Sequence, residues 1–235
     1  MAYPESYYAA RESWRDWRIE ARELLHLAQV ARGARVLEVG CGGGGLLRML
    51  HDRGARAVGI DTPGRALDLA RARPAGERES RGVGGGILLP PCSLAPLLVE
   101  VGEGDALPFR ADTFDAIVGQ HVIEHLPDVN AALREWRRVL KPNGYIALAT
   151  PNARYPDPAH FADAAHARVF SPTEIREVVT RAGFVVAACF TAFPFLSRTR
   201  ALHACGVIAY RAFQHAPYFA TRGRTIMLAA HKSGN

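Results

Sequence analysis

Short apolar segments that predict buried strands alternate with amphipathic segments along most of the 235-residue chain. The predicted strands are RVLEVG (35–40), AVGID (57–61), LLVEVGEGD (97–105), FDAIVGQ (114–120), GYIALATP (144–151), FVVAACFT (184–191) and TIMLAAH (225–231). This alternation is typical of βαβ units, whose strands form a mostly parallel sheet covered by helices. The sequence therefore predicts an α/β fold, in which ligands bind outside the carboxyl ends of the strands.

Helix signals fill the intervals between these strands. The predicted helices span residues 11–31, 46–54, 63–70, 128–140 and 171–183. Asp128 and Ser171 are predicted N-caps of the last two helices, and Ser171 forms a capping box with Glu174. The segment Lys-Pro-Asn-Gly, residues 141–144, is expected to end the fourth helix as a turn. Residues 73–97 interrupt the pattern with glycine, proline and charge, which predicts a surface insertion.

The net charge of +6 comes almost entirely from arginine, since Lys141 and Lys232 are the only lysines. The arginines are scattered, so the sequence gives little support for nucleic-acid binding. The four cysteines form no C-x-x-C pair, which is typical of a reduced cytosolic protein. The N-terminus is polar, and no apolar run is long enough to span a bilayer. We therefore expect a cytoplasmic protein without a transmembrane segment.

The first predicted strand runs into a glycine-rich stretch, residues 38–45. Glycines let the backbone turn sharply and approach a ligand closely. Gly40, Gly42 and Gly45 satisfy the dinucleotide pattern G-x-G-x-x-G, and Asp61 ends the second strand about twenty residues later. An acid at that position accepts hydrogen bonds from ribose hydroxyls, and the alternative is that Asp61 caps the helix predicted from Pro63.

Two further carboxylates distinguish this pattern from that of a dehydrogenase. Glu38 lies at the tip of the first strand, where its charge would repel a pyrophosphate and attract an ammonium group. Asp105 lies at the end of the third predicted strand and is placed to accept a hydrogen bond from an exocyclic amine such as that of adenine. The implied ligand has an adenine, a ribose and an amino-acid end, and S-adenosylmethionine has all three.

Five successive segments resemble the motifs of class I S-adenosylmethionine-dependent methyltransferases, especially the small-molecule type 11 branch. They are EVGCGGG, GID, GDALPF, FDAIVGQHVIEHL and RVLKPNGYIALATPN. The resemblance covers residues 33–151 and continues more weakly through HARVFSPTEIREVVTRAGF. It implies a Rossmann-like seven-stranded sheet of order 3-2-1-4-5-7-6, with strand 7 antiparallel and helices on both faces.

Carried over residue by residue, the resemblance places the glycine turn against the methionine part of the cofactor. It assigns the amino group, the ribose hydroxyls and the adenine amine to Glu38, Asp61 and Asp105, respectively. The other implied cofactor contacts are Gly40, Cys41, Gly42, Thr62, Ala106, Gln120 and His121.

His121, Glu124 and His125 form an H-x-x-E-H pattern just after the fourth strand. In zinc peptidases both histidines lie on a helix and aim at one metal, whereas here residues 126–128 already start the next helix, which favours a loop. Some ubiquinone-biosynthesis O-methyltransferases, which the chain resembles, carry E-x-x-E-H at this loop and use it for a divalent ion. With His121 in place of the first glutamate, the alternatives are a softer ion or, as we favour, no metal and a brace for the loop.

Methyl transfer is an in-line displacement in which the enzyme holds donor and acceptor aligned. An oxygen or nitrogen acceptor that loses a proton needs a base, which suits a histidine. The candidates are His121, His125 and His166, and His166 has the alternative role of bracing its loop. Residues 193–219 mix aromatic side chains with arginines, which we interpret as a lid for a hydrophobic small-molecule acceptor. Alternatives are a helix at a membrane surface and a helix that covers the core.

A single methyltransferase domain is expected over residues 1–235. It would comprise an N-terminal helical lid (1–32), a cofactor-binding core (33–191) with the insertion at 73–97, a lid segment (192–222) and the last strand (223–235). Four aromatic residues would line the acceptor pocket or pack in the core: Tyr7, Tyr8, Trp14 and Trp17.

The sequence thus favours a methyltransferase that acts on an oxygen or nitrogen of a small molecule. A cofactor-binding partner subunit without catalysis is the first alternative. A nicotinamide-dependent oxidoreductase is the second, and Glu38 and Asp105 argue against it.

Overall fold

The computed structural model describes residues 15–62, 97–100, 107–155, 163–192, 216 and 219–234. Several predictions fall outside these residues: the helix from Pro63, Asp105 and Ala106, the aromatic residues before Arg15, and nearly all of the segments 73–97 and 193–219.

Seven strands form one sheet of order β3-β2-β1-β4-β5-β7-β6. The strands are β1 (Arg35–Val39), β2 (Arg56–Asp61), β3 (Leu97–Glu100), β4 (Phe114–Gln120), β5 (Leu140–Pro151), β6 (Phe184–Ala192) and β7 (Thr225–Lys232). Strands β1 to β5 pair in parallel, whereas β7 is antiparallel to both of its neighbours, β5 and β6. This order and these directions confirm the predicted fold class.

The helices of the described residues cover both faces of the sheet. They are α1 (Arg15–Leu27), α2 (Gly45–Asp52), α3 (Val129–Val139), α4 (Pro172–Arg181) and α5 (Phe219–Arg222), with a 3-10 turn at Ile123–His125. None of them combines the length and apolar character needed to cross a bilayer. The prediction that the first helix continues to residue 31 is wrong, because α1 ends at Leu27 and the chain turns away at Gln29, whose φ of 51° is left-handed.

Two hydrophobic layers flank the sheet, because successive side chains of a strand point to opposite faces. Leu37 belongs to the layer under α3 and α4, together with Trp136 and Ile175. Val36, its neighbour in β1, belongs to the layer under α1 and α2, together with Leu24. Polar residues at the strand ends can therefore be assigned to a face by their register.

Local capping signals form as predicted. The Asp128 side chain accepts a hydrogen bond from Ala131 N at 2.9 Å, and Ser171 and Glu174 form a reciprocal capping box. The predicted turn at 141–144 is instead part of β5, because Leu140 already pairs with Phe114 and the register shifts before Tyr145 pairs with Ala116. The extra residues between these two pairs bulge out of the ladder.

Candidate active site at the carboxyl edge of the sheet

The glycine turn after β1 is fastened to the end of β2 by three backbone donors. Gly40 N and Cys41 N both donate to Ile60 O, at 2.9 and 3.1 Å, and Gly42 N donates to Asp61 Oδ2 at 2.7 Å. Cys41 is buried within the turn. The turn needs glycine at position 40, since its φ is 70° and a Cβ would lie 2.7 Å from Val122 Cγ2. The loop after β4 therefore packs directly on the glycine turn.

Asp61 braces this turn in the described structure. Besides Gly42 N, its carboxylate accepts a hydrogen bond from Thr62 N at 2.8 Å. Burial nevertheless raises the pKa of Asp61, and the hydrogen bonds from Gly42 and Thr62 offset this only in part. A carboxylate has about four acceptor positions, so Asp61 has the capacity to accept further donors that would stabilise its charge.

Glu38 is a buried carboxylate in β1, only 4% exposed. It lies between two strands, in register with Gly59 of β2 and Val118 of β4. Strand alternation places it on the same face of the sheet as Val36, which is the face covered by α1 and α2.

The His121 side chain lies at the carboxyl edge of the sheet, between the two hydrophobic layers. Its Nε2 lies 2.8 Å from Glu20 Oε1 of α1, and its Nδ1 lies 3.3 Å from Glu124 Oε1 in the 3-10 turn. Its backbone has a φ of 55°, in the left-handed region, and its N–H donates to Ala149 O at 2.8 Å. A left-handed conformation in a residue other than glycine is strained by about 1–3 kcal/mol, and the surrounding contacts must hold it.

Glu20 is a site residue that the sequence analysis missed. It is 6% exposed, and it accepts hydrogen bonds from Gln120 Nε2 at 2.9 Å and from Thr225 Oγ1 at 3.2 Å. Its position in the sequence indicated a buried acid, since Glu20 lies within the apolar stripe of the first helix, between Trp17 and Leu24. An acid on the buried face of a helix is costly unless it finds partners.

Glu124 is fully buried and belongs to the same network. Thr150 Oγ1 donates to its Oε2 at 2.9 Å, and its backbone oxygen accepts from Ala167 N and Arg168 N. Burial raises the pKa of Glu124, but the contacts with the His121 ring outweigh burial, so the pKa lies below its usual value. Glu124 is therefore a buried carboxylate stabilised by His121.

His125 and His166 lie side by side on the other flank of this loop. The His125 Nδ1 atom is 2.9 Å from Ala165 O, and the two imidazole rings are 4.9 Å apart. Because a carbonyl only accepts, His125 Nδ1 carries a proton, and Nε2 of the neutral ring is then a proton acceptor. Of the three predicted histidines, two thus come together, while His121 faces Glu20 and Glu124.

The H-x-x-E-H stretch does not have the geometry of a zinc peptidase. Only Ile123–His125 form a helical turn, and His121 and His125 face different partners. Glu124, His125 and His166 each offer one ligand atom, and these atoms lie within 4.8 Å of one another. A metal ion is one interpretation of that spacing. The hydrogen bonds that Glu124 and His125 already make with residues 165–168 favour the other, a brace for the loop.

Residues 8–188 match the family described as methyltransferase domain. The chain belongs to this family. The matched part of the chain is thus a methyltransferase domain by family, and S-adenosylmethionine is the cofactor that the family and the fold imply. The carboxyl edge of the sheet, where Gly40, Asp61 and His121 meet, is accordingly the candidate active site of this methyltransferase.

The similarity to curated methyltransferases covers part of each chain. The ubiquinone biosynthesis O-methyltransferase of Bordetella avium is 30% identical over 155 residues, which are 63% of this chain and 55% of the relative. The chain spans about half the length of the curated relatives that it matches.

Solved structures match over nearly the whole methyltransferase fold. A chain of the Haloferax volcanii complex between the Trm112 methyltransferase activator and a methyltransferase has a TM-score of 0.69 at 20% identity, covering 97% of this chain and 95% of its own. An S-adenosylmethionine-dependent methyltransferase from Mesorhizobium loti has a TM-score of 0.64 at 19% identity, covering 94% and 99%. At these identities the likeness supports the fold.

The described residues fit the implied cofactor at Asp61. Two N–H donors leave the pKa of this carboxyl raised, and a ribose would add hydroxyl donors to it. Gly42, in the turn after β1, has no side chain and is half-buried, so a ligand could approach its backbone closely.

Proposed function

We propose that this methyltransferase transfers the methyl group of S-adenosylmethionine to an oxygen or nitrogen of a small-molecule acceptor. The observation that carries the proposal is the loop after β4, which packs on the glycine turn through Val122 and bears His125 with its Nδ1 held by Ala165 O. The names of the relatives, which are O-methyltransferases, favour oxygen as the methylated atom.

The cofactor would be held by the residues that the resemblance indicates. Glu38 would bind its amino group, Asp61 its ribose hydroxyls, and Gln120 would face the methionine end. The bound cofactor supplies a methyl group on a positively charged sulfur. The task of the chain is to hold the acceptor atom in line with that group and to keep water away from it.

His125 is the best candidate for the base. Its Nδ1 is held by Ala165 O, and the loop that carries it packs on the glycine turn through Val122. His121 is less suitable, because both of its ring nitrogens face carboxylates. His125 Nε2 would take the proton of an acceptor hydroxyl or amine, and His166 would line the same side of the site.

Residues 193–219 would form a lid over a hydrophobic acceptor. A membrane surface is the alternative partner of this segment. We also propose a single domain over residues 1–235 and a cytoplasmic location, which the cysteine spacing favours.

The proposal is tested by transfer of a labelled methyl group to a panel of phenols, amines, sugars and lipid-linked acceptors. His125→Asn keeps an amide donor near the position of Nδ1 and removes the base, so kcat should fall by about 10²–10⁴-fold while S-adenosylhomocysteine still binds. His26→Gln, an exposed histidine of α1, is the matched control and should leave kcat unchanged.

Two outcomes would contradict the proposal. Binding of S-adenosylhomocysteine without transfer to any acceptor would favour a cofactor-binding subunit. Tight binding of NAD without binding of S-adenosylhomocysteine would favour an oxidoreductase.

A further inference from the structure

Glu20 connects α1 to three positions at the carboxyl edge of the sheet. Its Oε1 accepts from Gln120 Nε2, the last residue of β4, and faces His121 Nε2 in the following loop. Its Oε2 accepts from Thr225 Oγ1 at the start of β7. One carboxylate thus fixes the position of α1 relative to two strands and one loop.

A buried carboxylate is a poor choice if its role is stability alone. Taking a charge out of water costs several kcal/mol, and apolar replacements of buried ion pairs are often neutral or stabilising. The neighbouring residues Ala21, Leu24 and Leu25 already bury α1 against the sheet without polar contacts. Glu20 adds what these side chains lack, which is a directional contact.

The contact ends on a strained residue beside the proposed chemistry. His121 has a left-handed backbone, and the next residue, Val122, is the side chain that covers Gly40. The other ring nitrogen of His121 faces Glu124, which immediately precedes His125. A displacement of His121 would therefore reach both the glycine turn and the proposed base.

We infer that Glu20 is a positioning residue, through which the docking of α1 holds His121 and the loop 121–125 in the geometry required for methyl transfer. This inference deepens the proposed function and rests on it for the reaction, with Glu20 acting through its contact with His121. Helix α1 then helps to set the geometry of the site as well as covering it.

Two substitutions separate positioning from packing. Glu20→Met keeps the side-chain length and removes the polar contacts. Glu20→Gln keeps an oxygen that accepts from Gln120 and His121, while its amide donates to Thr225 Oγ1. Glu23→Gln, three residues further along α1, is the matched control for the same chemical change.

The expected result for Glu20→Met is a fall in kcat on the order of 100-fold, since a displacement of about 1 Å is worth that much. Its thermal midpoint should fall, because the buried donors of Gln120 and Thr225 lose their acceptor, so kcat is compared at a temperature at which the variant remains folded. Glu20→Gln and Glu23→Gln should keep kcat within about threefold of the parent, a small effect on the scale of ordinary surface changes. Unchanged kcat and KM in Glu20→Met would overturn the inference, as would a Glu20→Gln variant as impaired as Glu20→Met.

A readout without turnover keeps this test separate from that of the proposed function. The ring ¹H–¹⁵N signals of His121, assigned with His121→Asn, report the contacts of both ring nitrogens. We expect them to move in Glu20→Met and to stay in place in Glu20→Gln. Failure of the parent protein to methylate any acceptor would contradict the proposed function. His121 ring signals that do not shift in Glu20→Met would contradict the positioning role of Glu20.

Discussion

The carboxyl edge of the sheet, where the parallel strands end, and its amino edge, where they begin, hold charged side chains in opposite environments. At the carboxyl edge, Glu20 and Glu124 are buried and share His121. At the amino edge, Lys141 pairs with Asp115 at 2.6 Å, and both side chains are about two-fifths exposed. The same sheet therefore carries a desolvated polar network at one end and a solvated ion pair at the other.

The buried network lies at the edge proposed for function, whereas the exposed ion pair at the other edge serves solubility. An exposed ion pair contributes about 0–1 kcal/mol to stability and can be lost at little cost. A buried carboxylate without its partner costs several kcal/mol, so a network such as that of Glu124 must form completely or not at all. The edge where ligands bind in α/β sheets is also the edge where this chain retains buried charge.

The largest effect is expected for one of two left-handed glycines that flank β1, Gly33 before the strand and Gly40 after it. Gly40 has a φ of 70° and Gly33 a φ of 80°, but a Cβ at Gly33 would meet nothing within 4 Å, whereas one at Gly40 would overlap Val122. Gly33→Ala should lower the free energy of unfolding by about 1–2 kcal/mol. Gly40→Ala should cost about 3 kcal/mol or more, as overpacking adds to strain, and should weaken S-adenosylhomocysteine binding.

Urea unfolding and calorimetry measure these two quantities. Equal stability losses in the two variants, with intact binding in both, would show that the packing of Val122 on the glycine turn does not matter.

Glu124→Gln probes the buried network through its pH dependence. Its folded pKa is lowered, so the ionised Glu124 contributes stability that is fully present above its unfolded pKa of about 4.3 and is lost as the pH falls through the folded pKa. The variant should be less stable than the parent by about 2 kcal/mol at pH 7. The gap should narrow below about pH 4.3.

Unfolding curves of parent and variant at several pH values give this gap directly. A gap that is constant from pH 7 to pH 3 would mean that the charge of Glu124 makes no contribution.

Asp61→Asn should change binding more than stability. The amide loses one of the two hydrogen bonds, with Gly42 or Thr62, but it no longer buries a charge. These two effects largely cancel, so the free energy of unfolding should change by less than about 1 kcal/mol. Because a raised pKa means that the folded protein favours the protonated form, ionised Asp61 destabilises the protein as the pH rises through that pKa. Ribose donors would relieve this cost, so the variant should bind S-adenosylhomocysteine about 10–100-fold more weakly.

Calorimetric titration measures the change in affinity, and Asp52→Asn, in α2, is a control for the same substitution. Unchanged affinity in Asp61→Asn would leave Asp61 as a brace of the glycine turn only.

Lys141→Met at the amino edge should have the smallest effect. Both side chains of the pair with Asp115 remain about two-fifths exposed to solvent, so its loss should cost less than about 1 kcal/mol and the cost should shrink as salt is added. Thermal unfolding at low and high salt checks both statements. A loss of stability as large as that expected for Glu124→Gln would show that the ion pairs at the two edges do not differ in energy.

Features set by neighbouring residues were predictable from the sequence. The strands, the Asp128 cap and the Ser171–Glu174 capping box depend on periodicity and on side chains within four residues of each other. The presence of a glycine turn after β1 was predictable in the same way, since glycines permit the left-handed conformation at Gly40.

Features set by distant contacts were not predictable. The contact between Glu20 and His121 joins residues 101 positions apart, so no local pattern contains it. The bulge at 141–144 arises from pairing with β4, which extends β5 beyond the turn that the local sequence favours. The role of His121 as a bridge between layers, rather than as a free base, also depends on where α1 docks.

The position of β7 has a consequence for how the chain acquires its structure. Residues Thr225–Lys232 lie between β5 and β6, and in the described sheet β6 is joined to the rest through β7. During synthesis β5 is made well before its antiparallel neighbour, so its edge stays open until the chain has passed residue 232. Contacts of such long sequence separation form slowly, and an open strand edge is prone to pair with other chains. Completion of this half of the sheet is therefore a late event, and chaperone protection is most valuable before it.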